Sequence, residues 1–311
     1  MHGVMRMKLH RSWAICLLAW GLLAVWPSTT AALIEEEVGL LRQTMVERIN
    51  SDRALEGLAP VELDELASEV GTAHCQDMVE AGYFSHWNRQ GLKPYQRYSL
   101  AGGTHYVAEN LYQCETTGTL DTSFAGIRTI LLSGHEGFMA EGPEGGHRKN
   151  ILDPFRTHVG IGFAFSQKSL RMAQEFLNEY VTLELPPAAA TLNQQVLLEG
   201  HITADGRLAS VTIFHEPLPQ PMTFEQLSET EGYFLPDERK DLFPVLPPGW
   251  YYMDGGTGEV TLKDDGGFSF GVSFFAGEGA YTVVVWVELP DGSSAPATSF
   301  TILASENKQT E

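Results

Sequence analysis

At 311 residues, with 43% hydrophobic and 19% charged side chains, the chain can bury one large core or two ordinary ones without a metal or disulfide scaffold. Forty Asp and Glu against twenty Lys and Arg give a formal charge of -20, the wrong sign for neutralising phosphates, which excludes a nucleic-acid partner. The composition is also far from that of a disordered chain, and no short repeat stands out.

Residues 1–32 read as a cleaved address. Arg6, Lys8 and Arg11 make a basic start without an acid, residues 13–26 are apolar, and Pro27 is followed by small residues ending in Ala31 and Ala32. That is the layout of a secretory signal peptide, and the run falls short of the about 20 apolar residues a membrane span needs. The mature chain is expected to be secreted or extracytoplasmic (periplasm or cell surface), with no stable membrane span. Cys75 and Cys114 then remain, and in an oxidising compartment two cysteines read as a disulfide, with two buried free thiols as the alternative.

Val38, Leu41, Met45 and Ile49 recur at helical spacing until Gly57 and Pro60 interrupt them. Ala67, Val70, His74, Met78 and Ala81 repeat the pattern on a second helix, and a third begins near Thr122 with Phe124, Ile127, Leu131 and Phe138 on one side. Strands are expected at 107–112 and 158–165, where Val159, Ile161, Phe163 and Phe165 alternate with small or polar residues. Residues 171–181 lean to a strand. The first half is therefore α+β, helices packed on a short sheet. The character changes at Pro186-Pro187 and 188–190. Short alternating runs follow at 195–202, 209–215, 267–275 and 280–289, with a hairpin signal at Asp291-Gly292 and a possible helix at 224–229. The expected organisation is a first domain over 34–186, an antiparallel β-sandwich of immunoglobulin-like type over 190–305, and a flexible tail over 306–311.

Several chemistries are excluded by pattern. Gly160-Ile161-Gly162 lacks the third glycine of a phosphate loop, no Gly-x-Ser-x-Gly elbow occurs, and His135-Glu136 is followed by Met139 where a zinc-protease helix needs its second histidine. What remains is scattered: His86 after the second helix, Glu109 in Ala108-Glu109-Asn110-Leu111, and His147 in Gly146-His147-Arg148. Spacing alone does not bring these together, and a single histidine beside a turn is by default a surface or capping residue.

The same segments resemble the CAP superfamily, the SCP-like domains of cysteine-rich secretory proteins, venom antigens and pathogenesis-related proteins. The similarity is carried, in order, by Ile49-Asn50-Ser51-Asp52-Arg53 with Gly57-Leu58, Ala73-His74-Cys75-Gln76-Asp77-Met78, Phe84-Ser85-His86, Ala108-Glu109-Asn110-Leu111, Gly146-His147-Arg148 to Leu152, and Val159-Gly160-Ile161-Gly162. It spans residues 38–181 and leaves 187–311 uncovered. The resemblance implies an α-β-α sandwich with a cleft containing two histidines and two acids. His86, Glu109 and His147 match three of them. For the remaining acid, on the helix before His147, Glu136 is the choice, with Glu141 and Glu144 as rivals. Ile49 replaces a histidine that is frequent in the family, a change expected to affect packing.

Neutral imidazoles are zinc ligands, and a carboxylate beside one can ligate or fix its tautomer. His86, His147, Glu109 and Glu136 are thus the candidate set for a divalent cation, zinc or calcium. His74 reads as a core histidine, His105 and His158 as possible rim residues, Trp87 as a packing aromatic, and Asn110 as a local support for the Glu109 backbone. The expected function is a non-catalytic extracytoplasmic binding module whose cleft takes a cation and a small ligand, lipid or glycan. One alternative is a metal-dependent hydrolase, a peptidase with Glu109 as candidate base. The other is a structural or adhesive envelope protein with a partner bound through its C-terminal domain.

Overall fold

The structure, a computed structural model, describes residues 33–253 and 255–306. The expected leader, 1–32, and the end of the expected tail, 307–311, lie outside the described residues. Residues 33–306 belong to one compact unit.

Helix α1 (Glu35–Leu55) opens on Glu35, Glu36 and Glu37, negative charges at the positive end of the helix dipole, and has Arg53 in its last turn. After β1 (Glu62–Leu63), α2 (Glu65–Ala81) starts at Asp64, whose side chain accepts from the Ala67 N–H at 2.6 Å, and stops at Gly82 in the left-handed region. Then come α3 (Pro94–Leu100), β2 (Tyr106–Glu115), α4 (Phe124–Met139), α5 (Gly146–Leu152), β3 (His158–Phe165) and β4 (Ser169–Asn178). The helices and strands expected from periodicity are present. The two-residue strand β1 and the helices α3 and α5 were not foreseen, because such short elements do not reveal a period.

The sheet order is β1-β3-β4-β2, antiparallel except for β1 beside β3, which leaves β2 at an edge. Side chains alternate between two helical layers. Val159, Ile161 and Phe163 of β3, with Leu170, Met172 and Phe176 of β4, meet Leu41, Met45, Ile49, Ile127, Leu131 and Ile151 of α1, α4 and α5. Ile49 is completely buried there, so it fills the core as expected. On the other face Ala173, Leu177, Val107 and Leu111 meet Cys75 and Met78 of α2, Tyr83, and Tyr95 and Tyr98 of α3. The glycines of β3 allow this second layer to come close. A Cβ on Gly162 would lie 2.2 Å from the Gly71 carbonyl carbon of α2, and one on Gly160 2.4 Å from that of Ala67.

The same alternation corrects the expected disulfide. Cys75 and Cys114 are both free thiols. Cys114 of β2 packs toward the α1/α4 core, while Cys75 of α2 lies in the opposite layer with its thiol facing the Gly162 carbonyl at 3.7 Å. The sheet stands between them. Burial raises the Cys75 thiol well above its ordinary range, with the charges of Glu109 and Glu175 adding to the effect, so it is inert as a nucleophile.

Residues 181–305 form two facing sheets. Along the chain come β5 (Val181–Leu183), β6 (Ala189–Thr191), β7 (Val196–Ile202), β8 (Arg207–Glu216), a short α6 (Phe224–Ser228), β9 (Arg239–Leu242), β10 (Thr261–Leu262), β11 (Gly267–Val272), β12 (Gly279–Glu288), β13 (Ser294–Pro296) and β14 (Phe300–Ser305). One sheet runs β10-β11-β7-β5; the other runs β6-β14-β12-β8-β9, with β13 also on β12. Val196, Leu198, Phe268 and Phe270 meet Val211, Ile213, Val283, Val285 and Phe300 between them. Because β5 pairs with β7, the second sheet system begins upstream of the Pro186-Pro187 break.

The two regions share a polar seam along the edge of β2. The Tyr106 N–H donates to the Ala297 carbonyl at 3.1 Å, the Val107 N–H to Ser299 Oγ at 3.2 Å, and the Thr301 N–H to Ser99 Oγ at 2.7 Å. Glu216, at the end of β8, accepts from Lys93 at 2.5 Å, Tyr95 at 3.0 Å and Gln96 at 3.1 Å, all on or beside α3. No described helix is long and apolar enough to cross a membrane.

Two outcomes follow from this packing. Gly162→Ala should destabilise the chain by about 1–3 kcal/mol in urea denaturation, the usual cost of overpacking a closed interface; an unchanged midpoint would remove the close-approach account. Alkylation without reductant should leave Cys75 unlabelled in the native chain and label both Cys75 and Cys114 after denaturation. Peptide mass spectrometry reads both sites.

Candidate functional site

A cleft of about 550 Å³ opens beside β2. His86, Glu109 and His147 line it together with Glu141, Tyr106, Asn110 and Tyr233. Sequence positions 86, 109 and 147 are therefore brought to one hollow by the loop after α2, strand β2 and helix α5.

The cleft holds two similar assemblies. On one, the His86 Nδ1–H donates to Glu109 Oε1 at 2.7 Å, and the imidazole lies 4.8 Å, centroid to centroid, from the Tyr233 ring. On the other, the His147 Nδ1–H donates to Glu141 Oε1 at 2.5 Å, and the imidazole stacks on Phe138 at 4.5 Å. Each imidazole is thus fixed by a carboxylate and backed by an aromatic ring, leaving Nε2 as the nitrogen available to a ligand.

Glu109 reaches its position through strand parity. It sits opposite Glu175 of β4, and both carboxyls lie on the α2/α3 side of the sheet. Arg97 of α3 answers them, with Nη2 2.5 Å from Glu109 Oε2 and 3.8 Å from Glu175 Oε1, while its Nη1 donates to the His86 carbonyl at 2.6 Å. Burial pushes both carboxyls up. Glu175 goes well above the carboxylate range because it also faces the charge of Glu109, and both of its oxygens are buried without a hydrogen-bond partner.

Glu141 lies in the turn just past α4. Its Oε2 accepts the His147 N–H at 3.1 Å, so one carboxylate holds both the backbone and the ring of that residue. Gly145 permits the fold-back, since a Cβ there would lie 2.4 Å from the Glu141 Cβ. Burial works to raise this carboxyl, but the bonds from His147 and Arg148 carry it below its ordinary value.

The choice of Glu136 is corrected. Its exposed side chain on α4 lies 3.5 Å from Arg48 of α1, away from the cleft. Glu144 pairs with Lys149 at the surface. Among the described residues no group of three or more His, Cys, Asp or Glu side chains is arranged to hold a metal ion. Of the expected set, His86, His147 and Glu109 line the cleft and Glu136 does not, and the two acids in the cleft, Glu109 and Glu141, are hydrogen-bonded to the Nδ1 of their own histidines.

Other expectations resolve differently. His74 is buried, with Nε2 2.8 Å from the Ser85 carbonyl, a core residue as expected. His105 and His158 do not line the cleft, and Trp87 packs under Lys93 and against the α2 layer, the packing aromatic that was expected. Asn110 supports the other wall: its Nδ2 donates to the His147 carbonyl at 3.0 Å, and its Oδ1 accepts from Asn150 at 2.9 Å. Arg97, Glu175, Phe138 and Tyr233 were missed, since only pairing in space reveals them.

Burial, reinforced by the Arg97 charge, lowers the His86 imidazole from 6.5 to about 4. The unfolded chain takes up this proton near 6.5 while the folded chain waits until about 4, so in that interval stability falls as pH falls. His74 and His135 are lowered in the same sense, and Glu175 acts in the opposite one. His86→Gln should therefore make the decline in thermal midpoint between pH 6.5 and 4 shallower without abolishing it. A slope equal to that of the wild type would contradict the buried neutral imidazole.

Residues 46–183 match the family described as CAP: Cysteine-rich secretory protein family. An uncharacterized Bacillus subtilis (strain 168) protein, YkwD, is 30% identical over 140 residues, 45% of this chain and 48% of that protein. The chain thus spans about half the length of that relative. Among solved structures, an extracellular protein containing a SCP domain from Bacillus anthracis str. Ames aligns at 20% identity and TM-score 0.36, over 48% of this chain and 45% of that one. Murine CRIg aligns at 15% identity and TM-score 0.25, over 41% of this chain and 98% of that one. With its helical layers on either side of β1-β3-β4-β2 and its paired histidines and glutamates, the chain carries an N-terminal CAP domain, matched over residues 46–183.

Proposed function

We propose that the protein is an extracytoplasmic binding module whose cleft takes an uncharged, hydroxyl-rich ligand, a cell-envelope glycan. The observation that carries this reading is the pair of carboxylate–imidazole–aromatic walls facing one hollow. With its proton on Nδ1, neutral His86 offers Nε2 as an acceptor for a hydroxyl. Lys149 and Asn150 supply donors, and Tyr106 and Tyr233 supply ring faces. The volume lies within the about 300–1,000 Å³ usual for small-molecule sites. A lipid would find too many polar groups here. The leader-like first 32 residues support the location.

Catalysis is not part of this reading. A general base needs a carboxylate free to take a proton, whereas both oxygens of buried Glu109 are bound, one by His86 and one by Arg97. A zinc ion would find two imidazole nitrogens where it prefers three or four protein donors.

The adhesive alternative has one observation of its own. The loop between β9 and β10 presents Trp250, Tyr251 and Met253 at 74%, 77% and 102% exposure. One titration separates the two readings. Chitotetraose, a neutral envelope-type oligosaccharide, should bind the full chain with affinity lost at least about tenfold in His86→Ala/His147→Ala and kept in Trp250→Ala/Tyr251→Ala. The reverse pattern, with insoluble envelope material as the probe, would transfer the function to the loop.

A further inference from the structure

We propose that the binding site is composite: Tyr233, supplied by the second region, forms a wall of the cleft and selects ring-shaped ligands over extended peptides. The ligand class rests on the glycan reading above, but the placement of the wall does not.

The connection from β8 to β9, residues 217–238, does not loop into solvent. It leaves β8 at Glu216, which Lys93, Tyr95 and Gln96 hold, and crosses the α2/α3 side of the CAP domain. The Met222 N–H donates to the Arg89 carbonyl at 2.8 Å. Leu227 of α6 is buried among Met78, Tyr83, Leu111 and Ala173. Thr230 and Ser85 share a hydroxyl hydrogen bond of 2.6 Å one residue before His86. The chain then places Gly232, Tyr233 and Phe234 at the cleft, and Leu235 returns to apolar packing beside Tyr95 and Tyr98.

Tyr233 does two things there. Its ring stands against His86, so the imidazole is backed by a residue far outside the family match. Its hydroxyl accepts the Glu109 N–H at 2.5 Å and donates to the Glu109 carbonyl at 3.3 Å. Those are main-chain groups on the outer edge of β2, which a peptide adding as another strand would require. A phenol thus occupies the place of an incoming backbone. It leaves aromatic and imidazole faces in the cleft, against which a sugar ring packs.

The test uses the full chain with Tyr233→Phe and Tyr233→Ala. Amide hydrogen exchange is read at Glu109 and Asn110, and binding is read with chitotetraose and with a hexapeptide of alternating Val and Thr. Exchange at Glu109 should quicken at least about tenfold in both variants while Asn110, which faces β4, keeps its protection. Tyr233→Phe should retain the oligosaccharide; Tyr233→Ala should lose it at least about tenfold and gain the peptide. Unchanged Glu109 exchange would overturn the proposal, as would a Tyr233→Ala chain that still prefers the oligosaccharide. If the wild type ignores chitotetraose while Glu109 exchange responds and Tyr233→Ala gains the peptide, the composite wall stands and the glycan reading falls.

Discussion

One buried ion pair, Arg97 with Glu109, organises the whole cleft. Glu109 is taken fully out of solvent by strand β2, and Glu175 is placed opposite it by the register of β4. Two adjacent buried carboxyls cannot both ionise without a nearby cation. Arg97 supplies that charge and ties the same guanidinium to the His86 carbonyl, so the loop after α2 is fastened to the sheet through it. Removing one member of such a pair leaves an uncompensated buried charge, a loss of about 3–5 kcal/mol, well above what a surface pair contributes. His86 is held in one tautomer and kept neutral as a consequence of this arrangement rather than by its own surroundings alone.

Much of the CAP domain was legible from pattern. Helical spacing marks α1, α2 and α4, and the alternation of Val159, Ile161 and Phe163 with Gly160 and Gly162 marks β3 and even its two faces, bulky residues toward α1 and α4 and glycines toward α2. His86, Glu109 and His147 were found through the family resemblance, since spacing does not join them. The fourth residue was misplaced for a specific reason. Glu136 sits inside a helix whose period was readable, whereas Glu141 lies in the turn after it, where a side chain folds back only because Gly145 leaves room. The disulfide failed on the same footing: two cysteines in one domain say nothing of the sheet that separates them.

Tyr233 could not be reached by sequence at all. It is 124 residues from its partner Glu109, in a stretch without periodicity. Glu175 was hidden differently, inside a segment whose strand character was visible but whose partner strand was not. Pairing across a sheet, and contacts between regions, are the level at which single-sequence reading stops.

The seam along β2 has a further meaning. An edge strand with free main-chain groups is a template for self-association. Here Ala297, Ser299 and Tyr233, all from beyond residue 186, close that strand, and no charged side chain of β2 guards it in their place between Tyr106 and Leu111 except the inward-facing Glu109. The C-terminal half thus does for the first what a neighbouring strand would do, supplying partners to the main-chain groups of an edge that would otherwise face solvent.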